Sequence, residues 1–304
     1  MRLFKRLVVG LALLGAVSSA LAGPPSENLA PGQSLGAYLG IRSLPNLRDV
    51  GGYQNAEGLV IVRGKVYRSN VLNPMDSQEL SQLSKLQLKN DYDLRTIAEI
   101  SSEPDIIPPS IHYTNLNVLA DDAGIAITPA QQDKLFQDPQ MASEKFGGAQ
   151  GVDRLFIQMY RNFVSLPSAK KAYRSLFLSL ANPQKAPNVF HCTNGKDRTG
   201  WAAASLLTLL GVPKDKVYED YLFSNNYLLP FHQKQIDAFV AKGGDREILI
   251  GLFGVKPVYL DAAFDEMQKQ YGSIEQYFSK GLGIDAATQK KMRAMYLSAN
   301  TTSK

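Results

Sequence analysis

A chain of 304 residues that is 44% hydrophobic can build a sizeable core in one domain, or in one domain carrying an insertion. Its formal charge of +5 includes three cations near the start, Arg2, Lys5 and Arg6; without them 30 basic residues face 28 acidic ones, so nucleic-acid binding gains no support. One cysteine excludes an internal disulfide, and the three histidines, His112, His191 and His232, are too scattered to suggest a metal site.

Met1 to Arg6 is a basic stretch, Leu7 to Val17 is apolar, and Ala20-Leu21-Ala22 is a small-x-small cleavage signal. Residues 1–22 therefore read as a secretory signal peptide, too short for a confident membrane span, and the predicted location is periplasmic or secreted. Residues 23–32 read as a Pro- and Gly-containing linker, and 33–304 as a single domain. A cysteine kept as a free thiol in an exported protein fits chemistry better than packing.

Asn46, Arg48, Asp49, Gly51 and Gly52 together suit a tightly hydrogen-bonded turn, so Arg48 and Asp49 read as structural. Leu59 to Val62 and Lys65 to Arg68 predict a hairpin around Arg63-Gly64. Asp76 predicts a helix cap, with Leu80, Leu83 and Leu86 on the buried face that follows. Strands are expected at 90–94, 111–118 and 188–190, separated by helical segments. That alternation predicts an α/β fold with a central, mostly parallel sheet flanked by helices on both faces. Asp93 and Arg95 fall at a strand end, as a structural ion pair or as substrate-pocket residues. Residues 121–165 interrupt the alternation, as a helical lid over a pocket or as a packed insertion. After Pro213 the pattern is almost wholly helical, with an aromatic stripe that reads as core.

The informative segment is 191–200, where Cys192 precedes Arg198 between an apolar strand, Asn188 to Phe190, and an apolar helix, Ala202 to Leu210. A thiolate attacks phosphorus in line only if the phosphoryl oxygens are held. The residues between, Thr193, Asn194, Gly195, Lys196 and Asp197, are enough for one turn that points backbone N–H groups inward. The helix N-terminus favours both the phosphate and an anionic sulfur. Arg198 supplies a planar fork for two phosphate oxygens, Gly195 lets the backbone approach the ligand, and Thr199 is placed to donate to the Cys192 sulfur. His191 reads as orienting the loop through the backbone. No cofactor is called for.

The run His191-Cys192-x-x-Gly195-Lys196-Asp197-Arg198-Thr199-Gly200 resembles the active-site loop of the atypical bacterial protein-tyrosine and phosphoinositide phosphatases. Leu44 to Tyr53, Val66 to Ser69, Tyr92 to Arg95 with Glu99, and Tyr259 to Tyr277 resemble further blocks of that family in the expected order. The resemblance implies a cysteine-phosphatase-like fold, a helical lid in some members, and phosphorylated protein, lipid or inositol substrates. It also draws attention to Lys196, a second cation that suits polyphosphorylated ligands, and to Asp197, a carboxylate inside the cradle. Negative charge on a bound phosphoryl group favours a protonated Asp197, which could then serve as general acid. Asp121 with Asp122, at the start of a loop, and Asp93 are the other acid candidates.

The favoured function is hydrolysis of phosphotyrosine or phosphoinositides through a phosphocysteine. The alternatives are an inositol-phosphate phosphatase, a rhodanese-like sulfurtransferase and a non-catalytic phosphate binder. The oligomeric state is not legible.

Overall fold

The structure is a computed structural model that describes residues 34–125 and 129–299; the leader and linker expected at 1–32 lie outside the described residues. In chain order the elements are β1 (Arg48–Asp49), β2 (Val60–Ile61), β3 (Val66–Ser69), α1 (Ser77–Ser84), β4 (Asn90–Asp93), α2 (Ile97–Ser102) and β5 (His112–Asn115). After a 3₁₀ turn come α3 (Pro129–Gln137), α4 (Pro139–Phe146), α5 (Gly148–Ser165), α6 (Pro167–Leu180), β6 (Asn188–His191) and α7 (Arg198–Leu209). The rest is α8 (Lys214–Phe231), α9 (Gln233–Ala241), α10 (Arg246–Phe253), α11 (Pro257–Tyr271), α12 (Ile274–Gln276), α13 (Ala286–Tyr296) and β7 (Leu297–Ser298).

The expected sheet is present. Five strands lie in the order β1-β3-β6-β4-β5, parallel except for the outer pair β1 and β3. Neighbouring residues of β6 point to opposite faces, as the pleat requires. Val189 packs with Tyr67, Leu72, Leu83 and Ile111 on one side. Phe190 joins the larger core of Tyr92, Leu94, Trp201 and the aromatic residues of α5, α6 and α11 on the other. Asp76 caps α1 as expected, in a reciprocal capping box with Glu79.

The hairpin expected around Arg63-Gly64 does not form. β2 pairs antiparallel with β7 at the far end of the chain, while β3 pairs with β1 and β6. Val66 to Ser69 is buried throughout and takes a central place in the large sheet, where parallel pairing outcompetes a local partner. The helical tail accordingly ends in a short strand. Among the described residues no helix is long and apolar enough to cross a membrane.

The interruption at 121–165 divides in two. Helix α5 is part of the core, with Val152, Phe156, Tyr160, Phe163 and Val164 buried. The shorter α3 and α4 contribute Leu135, Phe136 and Phe146 to the wall of the cavity that holds Cys192.

Candidate active site

Strand β6 ends at His191, α7 begins at Arg198, and the turn between them lies beyond the carboxyl end of a central strand, where open α/β sheets place ligands. Gly195 is the pivot. Its φ is +64°, and a Cβ there would sit 2.0 Å from the Ser69 carbonyl oxygen, so no side chain fits.

The turn's carbonyls face outward. Asn46 Nδ2 donates to the Asn194 and Gly195 carbonyls at 2.9 and 3.0 Å, Arg68 donates to Gly195 at 2.9 Å, and the Val71 N–H donates to Thr193 at 3.0 Å. With its carbonyls committed this way, the turn presents its N–H groups to the inside, as an anion nest does. Asn46 and Arg68 are in turn fixed from below. Arg48 and Arg68 share the buried carboxylate of Asp220, at 3.4 and 2.6 Å, and Arg48 also bonds to Asn46. Arg48 is therefore structural, as expected, and so is Asp49, whose carboxylate accepts from the Gly51 and Gly64 N–H groups at 2.8 and 2.6 Å.

His191 is fully buried with Nε2 3.2 Å from Asp91 and 3.3 Å from Asp105 and Nδ1 3.3 Å from the Cys192 carbonyl. Burial disfavours its charge, yet the two carboxylates more than reverse this and hold its pKa well above the ordinary value. Its other ring nitrogen orients the loop through the backbone.

Cys192 is 1% exposed and lines a narrow cavity of about 70 Å³ together with Glu99, Asp197 and Arg198. Apolar side chains of α3, α4, α5 and α10, among them Phe136, Phe146, Phe156 and Phe253, form the roof. Arg198 gives both terminal nitrogens to Glu99, at 2.8 and 2.7 Å, and Glu99 also accepts from the Thr193 hydroxyl at 2.6 Å. Burial pushes Glu99 towards its neutral form, but the Arg198 guanidinium outweighs it and holds the carboxyl far below its usual range.

Of the three proposed acids, one reaches this cavity. Asp197 lines it, with its Oδ1 accepting from Tyr160 and Lys196, each at 3.0 Å. Asp121 accepts from the Ser168 N–H and Asp122 from Asn162, both away from the sulfur. Asp93 and Arg95 do not line it either: they form a buried ion pair at 2.7 Å, extended to Asp105 at 2.8 Å. The expected bond from Thr199 to sulfur is not made; its buried hydroxyl has no hydrogen-bond partner among the described residues. Lys196 is 1% exposed, with Nζ 4.2 Å from the centre of the Phe156 ring, and it does not line the cavity.

A second, open groove of about 670 Å³ adjoins the first and shares Phe136, Thr193, Asn194 and Phe253 with it. Its charged lining is Asp76, Glu79, Glu103 and Asp133 against Arg42. His232 also lines it, with its pKa lowered by burial.

Sequence reasoning gave no site role to Asn46, Arg68, Tyr160, Asp220 or Tyr221. Of these, only Asn46 and Arg68 lay in blocks that the family resemblance had marked.

Residues 39–298 match the family described as the tyrosine phosphatase family. The triple specificity protein phosphatase PtpB of Mycobacterium tuberculosis is 28% identical over 284 residues, covering 85% of this chain and all of the relative. A Cupriavidus necator protein, provisionally named a tyrosine-protein phosphatase, is 27% identical over 261 residues, covering 85% of this chain and 88% of its own. A crystal structure of P. aeruginosa TpbA in complex with pTyr aligns with 67% of this chain and 98% of its own at 14% identity and a TM-score of 0.31. With a family match spanning nearly the whole described chain, and a buried cysteine and arginine joined on one cavity, the protein belongs to the tyrosine phosphatase family and is a phosphoric monoester hydrolase of that type.

Proposed function

We propose that the protein is exported and hydrolyses phosphotyrosine in proteins through a phosphocysteine, with no cofactor. The observation that carries this is the convergence of Cys192, Asp197 and Glu99-bound Arg198 on one cavity at the N-terminus of α7. The Cys192 thiolate attacks phosphorus, forming an S–P bond as the P–O bond to the leaving group breaks. Arg198 and the loop N–H groups bind the equatorial oxygens, and a proton on Asp197 passes to the departing oxygen. Asp197, now ionised, takes a proton from water; the water oxygen bonds to phosphorus, the S–P bond breaks, and inorganic phosphate leaves. The Thr199 hydroxyl, which has no partner among the described residues, is available to stabilise the departing thiolate.

The cavity is narrow and walled by apolar side chains of α3 and α4, which supports reading these two helices as a lid that parts for substrate. The adjoining groove, with four carboxylates and one arginine, favours a peptide flank that is neutral or basic. A polyphosphorylated inositol lipid gains support only from Lys196, and Lys196 is engaged by Phe156 and Asp197. The basic and apolar start of the chain, with Ala20-Leu21-Ala22, supports export.

The test is phosphate release from phosphotyrosine peptides, phosphoserine peptides, phosphoinositides and inositol phosphates, with Cys192→Ser as the blank. Phosphotyrosine peptides are expected to lead. Faster release from phosphoinositides would overturn the substrate assignment, and release persisting in the blank would overturn the nucleophile. Asp197→Asn is expected to slow alkyl phosphates far more than an aryl phosphate with a good leaving group; equal activity on both would remove Asp197 from the mechanism. Fractionation of expressing cells, with N-terminal sequencing of the mature chain, tests export and cleavage after Ala22.

A further inference from the structure

Asp197 stands at the N-cap position of α7, where an aspartate ordinarily turns its carboxylate back onto the helix's free N–H groups. It does not do so here. The side chain makes no capping bond, and Oδ1 instead meets two donors, the Tyr160 hydroxyl and Lys196 Nζ, each at 3.0 Å. Both contacts depend on α5. Phe156 covers Lys196, and Tyr160, four residues on and so on the same helix face, reaches Asp197.

A third group completes the arrangement. The Tyr221 hydroxyl, from α8, lies 2.7 Å from the Tyr160 hydroxyl, and both phenols are fully buried. Burial, and then the nearby Asp197 charge, raise both well above the ordinary phenol range, so each keeps its proton. An ionised carboxylate can only accept, so Tyr160 donates to Asp197. Tyr160 then has no second proton to give, and Tyr221 must be the donor to Tyr160. Proton counting gives the chain one direction, from Tyr221 to Tyr160 to Asp197.

We propose that Tyr160, oriented by Tyr221, is a positioning residue that occupies Oδ1 of Asp197 and thereby assigns the catalytic proton to Oδ2, on the side of the Cys192 cavity. This rests on Asp197 serving as the acid and base. Removing the Tyr160 hydroxyl leaves Oδ1 to Lys196 alone and loosens the aim of the carboxyl.

Tyr160→Phe removes the hydroxyl and keeps the ring. Its kcat/KM on a phosphate ester with a poor leaving group is expected to fall about 10-fold, a part of what general acid catalysis contributes. On an aryl phosphate with a good leaving group, which needs no proton, its kcat/KM is expected to stay within about 2-fold of the parent, a split that a merely structural loss would not produce. Tyr221→Phe is expected to give the same split with a smaller loss, and also serves if Tyr160→Phe fails to fold. In an Asp197→Asn background, Tyr160→Phe is expected to add nothing. Equal losses on both esters in both Phe variants, or a Tyr160→Phe effect that multiplies with that of Asp197→Asn, would overturn the proposal while leaving the acid assignment standing. If Asp197→Asn alone leaves turnover unchanged on poor leaving groups, the acid assignment fails and the proposal with it.

Discussion

Arg198 and Glu99 form a fork-to-fork pair, two charge-assisted bonds of 2.8 and 2.7 Å between side chains that are 7% and 2% exposed. Glu99 is itself immobilised by its capping box with Thr96 at the start of α2. The guanidinium plane is thus set before substrate arrives, and its alignment costs nothing at the moment of phosphoryl transfer.

Glu99→Gln keeps the shape of the support but removes its charge and one acceptor oxygen. We predict a fall of about 10–100-fold in kcat/KM, with the loss concentrated in kcat because Arg198 tightens on the transition state. Breaking a buried ion pair from one side also predicts destabilisation of about 3–5 kcal/mol, read from denaturant unfolding. A variant with full activity would show that Arg198 finds its alignment without Glu99.

Cys192→Ser replaces the buried sulfur by a hydroxyl far less able to act as an anion. Turnover of a phosphotyrosine peptide is predicted to fall by at least about 10⁴-fold, while stability changes by less than about 2 kcal/mol. Single-turnover kinetics with labelled substrate should show a phosphoenzyme in the parent and none in the variant.

Phe156→Ala removes part of the roof over Cys192 and the ring that covers Lys196. Modification of Cys192 by a small alkylating reagent is predicted to accelerate at least about 10-fold, since the reaction rate follows the population in which sulfur is accessible. The same variant should gain activity on phosphoinositides relative to phosphotyrosine, because its lysine is uncovered and held by Asp197 alone. An unchanged alkylation rate would show that α5 does not control access.

Asp220 anchors the underside of the loop between Arg48 and Arg68. Burial raises its pKa, and the two arginines more than reverse this, so its folded value lies below the ordinary 3.8. A depressed folded value contributes stability that is complete above the unfolded value and is lost as pH falls through the folded one. We predict that Asp220→Asn is less stable by about 3–5 kcal/mol at pH 7, with a flatter loss of stability than the parent as pH falls below about 4. Parallel pH dependence in the two proteins would contradict the assignment.

What the amino-acid order made legible was local. Cys192 and Arg198 lie in one turn, with the family resemblance adding Asp197, and Asp76 directly precedes the helix it caps. The partner of β2 was not legible because Leu297 and Ser298 are more than two hundred residues away, and a nearby run of β-branched residues imitated a hairpin. Asn46, Arg68 and Asp220 support the loop through the fold's long-range contacts, which leave no periodic trace. Tyr160 looked like one more aromatic of a core-facing helix, and so it is, apart from its hydroxyl. Asp93 and Arg95, two residues apart, could be read as pair or pocket until Asp105 closed the buried cluster.

The narrowness of the chamber around Cys192 bears on how inhibitors will behave. With α3 and α4 acting as the proposed lid, a compound built to reach the sulfur waits for them to part, so its onset follows the protein's own opening rate whatever its fit once inside. Readings taken within seconds would therefore rank molecules by how well they catch a rare open form, and readings taken after hours by how long they stay, and the two rankings need not agree.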